Sequence, residues 1–345
     1  MSVGLDLPIN LSLPTILNDL PIRIRNSIKQ ATHRLRAWFF FSSSDCWLSI
    51  LRIGLGLQLG LYAFSLRADW RYLLAGTGRG LVSRDLAEAL LSLESPIIPR
   101  LGWLVAGGKQ LGLSEAAVLD LTWYGLTLTS LFLLIGLFCR PFAIAAWFLH
   151  LCSVKGGGLV TYGVDALTTT GLFYLMLSPL PDQLSLDYLW RKKLSDSEFL
   201  GFWRRVLQLH LCFIYFFSGL TKALGAGWWN GANLWRALIR PPFAIIPAEI
   251  LVRAKYIFPI VGIAVWILEI GYAFFIWHGK TRRAWLLGIL AMHTGIGVGM
   301  GMYLFASIMI LLNLAAFGPG ILWRARQAAD DDSSLSGEIT CSPNN

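Results

Sequence analysis

Charge is what this sequence has little of. Only 14% of its 345 residues are Asp, Glu, Lys or Arg, roughly half of the 25% or so that a soluble domain carries. An ordinary soluble globule is excluded, because so few charges cannot solvate its surface. Acidic residues are the scarcer kind, 20 against 29 Lys and Arg, which leaves a formal net charge of +9. Cysteine is sparse and unpatterned: Cys46, Cys139, Cys152, Cys212 and Cys341 form no CxxC, and three of them lie inside apolar runs. Neither a disulfide framework nor a thiolate metal site is indicated. The five His offer no i, i+3 or i+4 pair on one helix, so no metal is expected. GxGxxG, Walker and HExxH motifs are missing, as is any repeat of fixed period.

What is present in excess is apolar: 55% of residues are hydrophobic, with 15 Trp, 20 Phe and 34 Gly. Aromatic rings anchor helices at bilayer interfaces, and glycine is tolerated within spans. Inside a single apolar segment only a helix satisfies every backbone polar group. The sequence therefore predicts an all-α polytopic transmembrane bundle. Apolar runs place spans near Cys46–Leu66, Ala117–Leu137, Pro141–Val154, Ala166–Leu180, Phe202–Leu220, Tyr256–Trp277, Trp285–Gly299 and Tyr303–Phe317. That is about eight, with roughly seven to nine as the range, because three of the runs are short for a bilayer.

The positive charge follows the same logic. Arg191, Lys192, Lys193, Arg204 and Arg205, then Lys280, Arg282 and Arg283, flank apolar runs, where basic residues fix topology rather than bind nucleic acid. They predict an integral multi-pass protein with both termini cytoplasmic. Residues 1–41 lack the pattern of a cleavable signal. From Ile16 to Phe41 basic residues interleave with Leu, Ile and Trp38, as expected either of a helix lying on an anionic membrane surface or of a basic topogenic flank. Residues 42–323 hold the spans, and residues 324–345, with DDDSSLSGE, read as a polar acidic disordered tail. Ser83 opens a candidate amphipathic helix before Pro96, and the Trp-rich GAGWWNGANLWRALIRPP reads as a re-entrant or interfacial loop.

Ionisable groups inside spans cost about 2.5–3.5 kcal/mol each at the bilayer centre and need an explanation. Lys222 closes the apolar run YFFSGLTK. An amine in apolar surroundings can serve as a base near pH 7, whereas a lysine at a helix end commonly stretches to the headgroups. Glu269 sits mid-span in VWILEIGYAFF and must be protonated, paired with a cation such as Arg52, or facing a polar cavity. His293, beside glycines at 295, 297, 299 and 301, is either a satisfied core histidine or a ligand contact. Arg52 in LSILRIGLGLQLG is expected to neutralise an intramembrane carboxylate, and Asp165 opens a span as a helix N-terminal carboxylate or a site residue.

The run LQLHLCFIYFFSGLTKALGAGWWNGANLW resembles the signature segment of the HTTM family, the transmembrane domain shared with vitamin K-dependent gamma-carboxylase. RIGLGLQLGLYAF, YGVDALTTTGLFYLMLSPLPDQLSLD, LEIGYAFFIW and AMHTGIGVGMGMYLF extend the likeness over most of Ile50 to Ala316. The resemblance implies an HTTM-like bundle and a lysine base acting on a reduced quinone of the vitamin K or menaquinone type. That base falls on Lys222, with Tyr215 before it and Trp228 and Trp229 after it. Glu269 and His293 are then expected as polar cavity groups, and Arg52 and Asp165 as orienting charges. Two departures stand beside the likeness: the carboxylase's large region beyond the bundle has no counterpart here, and Thr221 stands where the carboxylase has a second lysine. Both put glutamate carboxylation in doubt and leave quinol chemistry standing. Some stand-alone members are associated with maturation of secreted peptide toxins in bacteria, so a maturation or export factor for a small secreted peptide is the alternative expectation, with a transporter behind it.

Overall fold

In the computed structural model, residues 22–76, 83–157, 161–192 and 197–319 are described. The expected disordered tail, residues 324–345, and most of the N-terminal segment up to residue 21 lie outside them. Every described regular element is helical. In chain order they are α1 Ile22–Phe39, α2 Cys46–Ser65, α3 Trp70–Leu74, α4 Arg84–Glu94, α5 Leu101–Gln110, α6 Glu115–Ile135, α7 Cys139–Gly156 and α8 Gly163–Leu177. There follow α9 Leu186–Arg191, α10 Ser197–Leu224, α11 Ala226–Trp229, α12 Ala232–Ile239, α13 Ala248–Arg253, α14 Ile257–Phe275, α15 Arg282–Met300 and α16 Tyr303–Phe317.

Each of the eight apolar runs lies in a helix, yet only α2, α6, α10 and α14 are both long and apolar enough to cross a membrane. The helices α8 and α16 are apolar but have 15 residues each, about 22 Å at 1.5 Å per residue. Local signals start and stop these elements as polar caps should. Ser83 Oγ accepts from Leu86 N at 3.3 Å to open α4, and Ser114 Oγ accepts from Ala117 N at 3.2 Å to open α6. Gly136, at φ +74°, closes α6 in the left-handed conformation.

The eight helices that hold the apolar runs, α2, α6, α7, α8, α10, α14, α15 and α16, alternate between two ends of the body. At one end Ser43 N donates to Ser197 O at 3.1 Å, Arg204 donates to Ala316 O at 3.0 Å, and Arg205 lies over the Trp38 and Trp277 rings. The starts of α2, α10 and α15 and the ends of α6, α8, α14 and α16 gather there. At the other end Gly76 N donates to Glu115 Oε1 at 2.7 Å, and Tyr62, Trp70, Tyr162 and Leu304 surround a cavity of about 180 Å³. Helix α16 stands centrally, touching α2, α8, α10 and α15. Leu48, Leu51, Leu55 and Leu59 of α2, Leu126 and Leu133 of α6, and Ile308 and Leu312 of α16 are buried in one core. Bilayer-type helix association rests on such packing and on small residues. Gly219 of α10 shows it: a Cβ there would lie 2.8 Å from Ile270 N.

Candidate functional site

Two polar networks are stacked along the close α10–α14 contact. In the first, Lys222 Nζ lies 2.6 Å from Ser218 Oγ and 2.8 and 2.6 Å from the two Glu269 oxygens. The side chains are 19% and 6% exposed. All three ammonium donors are therefore engaged. The direction of the side chain bears on the snorkelling reading of this lysine. Helical side chains lean toward the N-terminus, and Nζ bonds to Ser218, one turn back along its own helix, instead of reaching past Leu224. Lys222 turns inward, so headgroup snorkelling does not describe it. Its other neighbour is the Trp228 ring, with Nζ 5.3 Å from the centroid, which lids the pair from the Trp-rich segment.

One turn deeper lies a neutral network. Tyr215 OH is 2.8 Å from His293 Nε2, Asn313 Nδ2 is 2.7 Å from Tyr215 OH, and Tyr272 OH is 2.7 Å from Asn313 Oδ1. All four side chains are buried. Tyr215 and Lys222 are seven residues apart on α10, two turns, and Glu269 and Tyr272 are three apart on α14, so each helix presents both members on one face. The Tyr215 and Tyr272 rings pack with centroids 4.4 Å apart. Phe305 closes the far side of His293 at 5.8 Å.

Lys222, Glu269, His293, Tyr215 and Trp228 are thus brought together as expected. Three expected members are not. Arg52 does not pair with Glu269. Its Nε and Nη2 donate to Asp182 at 2.6 and 3.1 Å, and the remaining donors go to the Leu133, Leu134 and Leu184 carbonyls. All five N–H groups are used, at 0% exposure. The physical reason is position: Arg52 is in the second turn of α2, beside the closing carbonyls of α6, where a cation meets the negative end of a helix. Asp165 caps α8, accepting from Tyr162 N at 2.8 Å, and lines the 180 Å³ cavity instead of the lysine site. Trp229 turns its Nε1 to Ala223 O at 2.7 Å and packs on Trp266, one residue out of place for the ion pair.

Sequence reasoning missed Ser218, Tyr272 and Asn313. The amide of Asn313 in YLFASIMILLNLAAF was a usable signal, since a buried amide in an apolar run needs partners as a charge does. Tyr272 follows Glu269 by one helical turn and carried no such contrast. Among the described residues no group of three or more His, Cys, Asp or Glu is placed to hold a metal. Comparison of the chain with protein-family models, with curated proteins and with solved structures found no match.

Proposed function

We propose that this chain is an integral membrane protein of about eight crossings, HTTM-like in kind, whose Lys222–Glu269 couple acts as a proton-accepting centre toward a lipophilic reduced quinone. The observation that carries the reading is the inward-turned Lys222, held within 2.8 Å of both carboxylate oxygens of Glu269 with the two side chains 19% and 6% exposed. An ammonium is no base, so the centre works only if a proton can leave it. Glu269 is placed to receive it along a 2.6 Å hydrogen bond, which converts a charged pair into a neutral amine and a neutral acid at no change in net charge. Low-polarity surroundings penalise the charged pair and narrow the gap between the two forms. The amine then accepts a proton from an acidic hydroxyl of the substrate, and Ser218 keeps Nζ aligned.

A hydroquinone fits these residues in kind: it is neutral, reaches the site through the bilayer, and offers a phenolic proton. With dioxygen as oxidant it supplies the chemistry, quinol plus O2 giving epoxide plus water. The test is direct. Protein in nanodiscs, given reduced menaquinone or vitamin K and oxygen, should yield epoxide by mass spectrometry, and Lys222→Ala should abolish it. Wild type that yields none across several quinols would sink the enzymatic reading and leave the peptide-maturation alternative to be tried.

A further inference from the structure

The hydrogen bonds around His293 determine which of its nitrogens carries the proton. The Met309 carbonyl can only accept, and Asn313 Nδ2 lies 2.8 Å from it, so the amide's donor end faces Met309. Oδ1 therefore accepts from the Tyr272 hydroxyl, and the second hydrogen on Nδ2 goes to the Tyr215 oxygen. Tyr215 has one proton, and its hydroxyl has His293 Nε2 as the remaining partner at 2.8 Å. Nε2 accepts it. The opposite arrangement would strand the hydroxyl proton of a tyrosine that is 1% exposed. The neutral imidazole therefore bears its hydrogen on Nδ1, and Nδ1 is buried with no hydrogen-bond partner among the described residues. An orphaned buried N–H is rare in folded proteins.

We propose that Asn313, acting through Tyr215, positions His293 as a neutral donor, and that its Nδ1–H is the contact for a carbonyl oxygen of a neutral lipophilic ligand. The ligand is neutral because Lys222 and Glu269 cancel each other's charge and the rest of the network is uncharged. It is apolar because Phe305 flanks His293 and the nearest cavity is lined mainly by apolar side chains. Phe305 packs against His293 at 5.8 Å and lies 3.2 Å from where a Cβ on Gly163 would be. Gly163 adjoins Tyr162, Val164 and Asp165, which line the cavity of about 180 Å³ together with Leu304, Tyr62 and Trp70. Phe305 thus packs on His293 on one side and on Gly163, at the edge of that cavity, on the other. His293 donates, while proton acceptance stays with Lys222.

The inference deepens the quinol reading and rests on it for the ligand's arrival from the membrane, but the donor itself needs no redox step. The experiment is NMR on protein in nanodiscs with 15N-labelled histidine rings, with the His293 signals assigned by their loss in His293→Gln. The ligand-free protein should show a protonated Nδ1 and an unprotonated Nε2. Protonated Nε2 overturns the proposal. Tyr215→Phe, or Asn313→Leu, should release the fixed tautomer, and an unchanged spectrum in both removes Asn313 and Tyr215 from their positioning role. Adding an oxidised short-chain menaquinone, which carries carbonyls and undergoes no epoxidation, should shift Nδ1, and His293→Phe should weaken its binding about fivefold. No Nδ1 response at saturating menaquinone overturns the ligand contact. An intact Nδ1 response alongside a failed epoxide assay would reject the catalytic reading and leave this one standing.

Discussion

Arg52 and Lys222 are two cations set among the apolar runs, and the surroundings of Arg52 predict how its loss is felt. Arg52 is wholly buried, with all five donors in use and Asp182 as counter-ion. Arg52→Ala leaves Asp182 buried and uncompensated, which costs about 3–5 kcal/mol when one member of such a pair is removed. Thermal unfolding of the purified protein should register that loss, with Asp182→Asn milder because an amide still accepts from Ser49 and Arg52. A wild-type unfolding temperature in Arg52→Ala would show that the corner contributes nothing. At this scale the sequence was half legible. That Arg52, Lys222 and Glu269 need partners followed from bilayer energetics alone, but which carboxylate meets which cation did not. Asp182 lies in SPLPDQLS, a polar turn between apolar runs, and no rule of spacing joins it to a residue 130 positions earlier. The Lys222–Glu269 match became visible only when Gly219 let α10 and α14 close together.

At the scale of the element, α4 shows a loop helix held by charge. Arg84 bonds Asp85 at 3.0 Å and Glu115 at 2.8 Å, while Glu88 accepts from Gly102 N at 2.8 Å and its own carbonyl accepts from Arg100. Burial raises the Glu88 carboxyl above its ordinary 4.5, against the lowering pull of the Gly102 hydrogen bond, Arg84 and Arg100 and alongside the raising effect of Asp85. A raised acid holds its proton more tightly folded than unfolded, so stability falls as pH climbs from the ordinary value through the folded one and levels off above it. Unfolding temperatures measured from pH 4 upward should show this decline in wild type, superposed on the other carboxyls. Glu88→Gln, which keeps an acceptor for Gly102, should show a shallower one. Equal slopes would remove Glu88 from the account. The Ser83 cap and the leucine spacing made α4 legible in the sequence. The buried charge cluster beneath it was not, since Glu88 looks like any other surface glutamate until α5 and α7 fold over it. The exposed apolar face of α1, Ile24, Ile28, Leu35 and Trp38, was legible for the same periodic reason as α4.

For the whole molecule, basic residues stand at both ends: Arg204, Arg205 and Arg282 gather where α2, α10 and α15 begin, and Arg71 and Arg84 pair with Asp120 and Glu115 at the cavity end. The alternation of eight helices between two ends is a property of the fold, whereas the crossing of a bilayer by all eight is the proposal, because only α2, α6, α10 and α14 meet the length and hydropathy of a free-standing span. Sequence windows judge each helix as if lipid surrounded it, whereas α7, α8, α15 and α16 lie against neighbours and bury polar groups such as His150 and Asn313 among them. Cysteine labelling separates the two counts. In a background without Cys46 and Cys341, Leu184→Cys and Leu111→Cys report opposite faces under either count, since α6 crosses between them and α7 with α8 adds two crossings or none. Tyr162→Cys and Tyr303→Cys do not, because they sit at the α7–α8 and α15–α16 turns and are 46% and 64% exposed. Eight crossings require a membrane-impermeant maleimide to reach both from the Leu111 side. If both label from the Leu184 side, those two helix pairs enter the membrane without crossing it, and the number of spans is four.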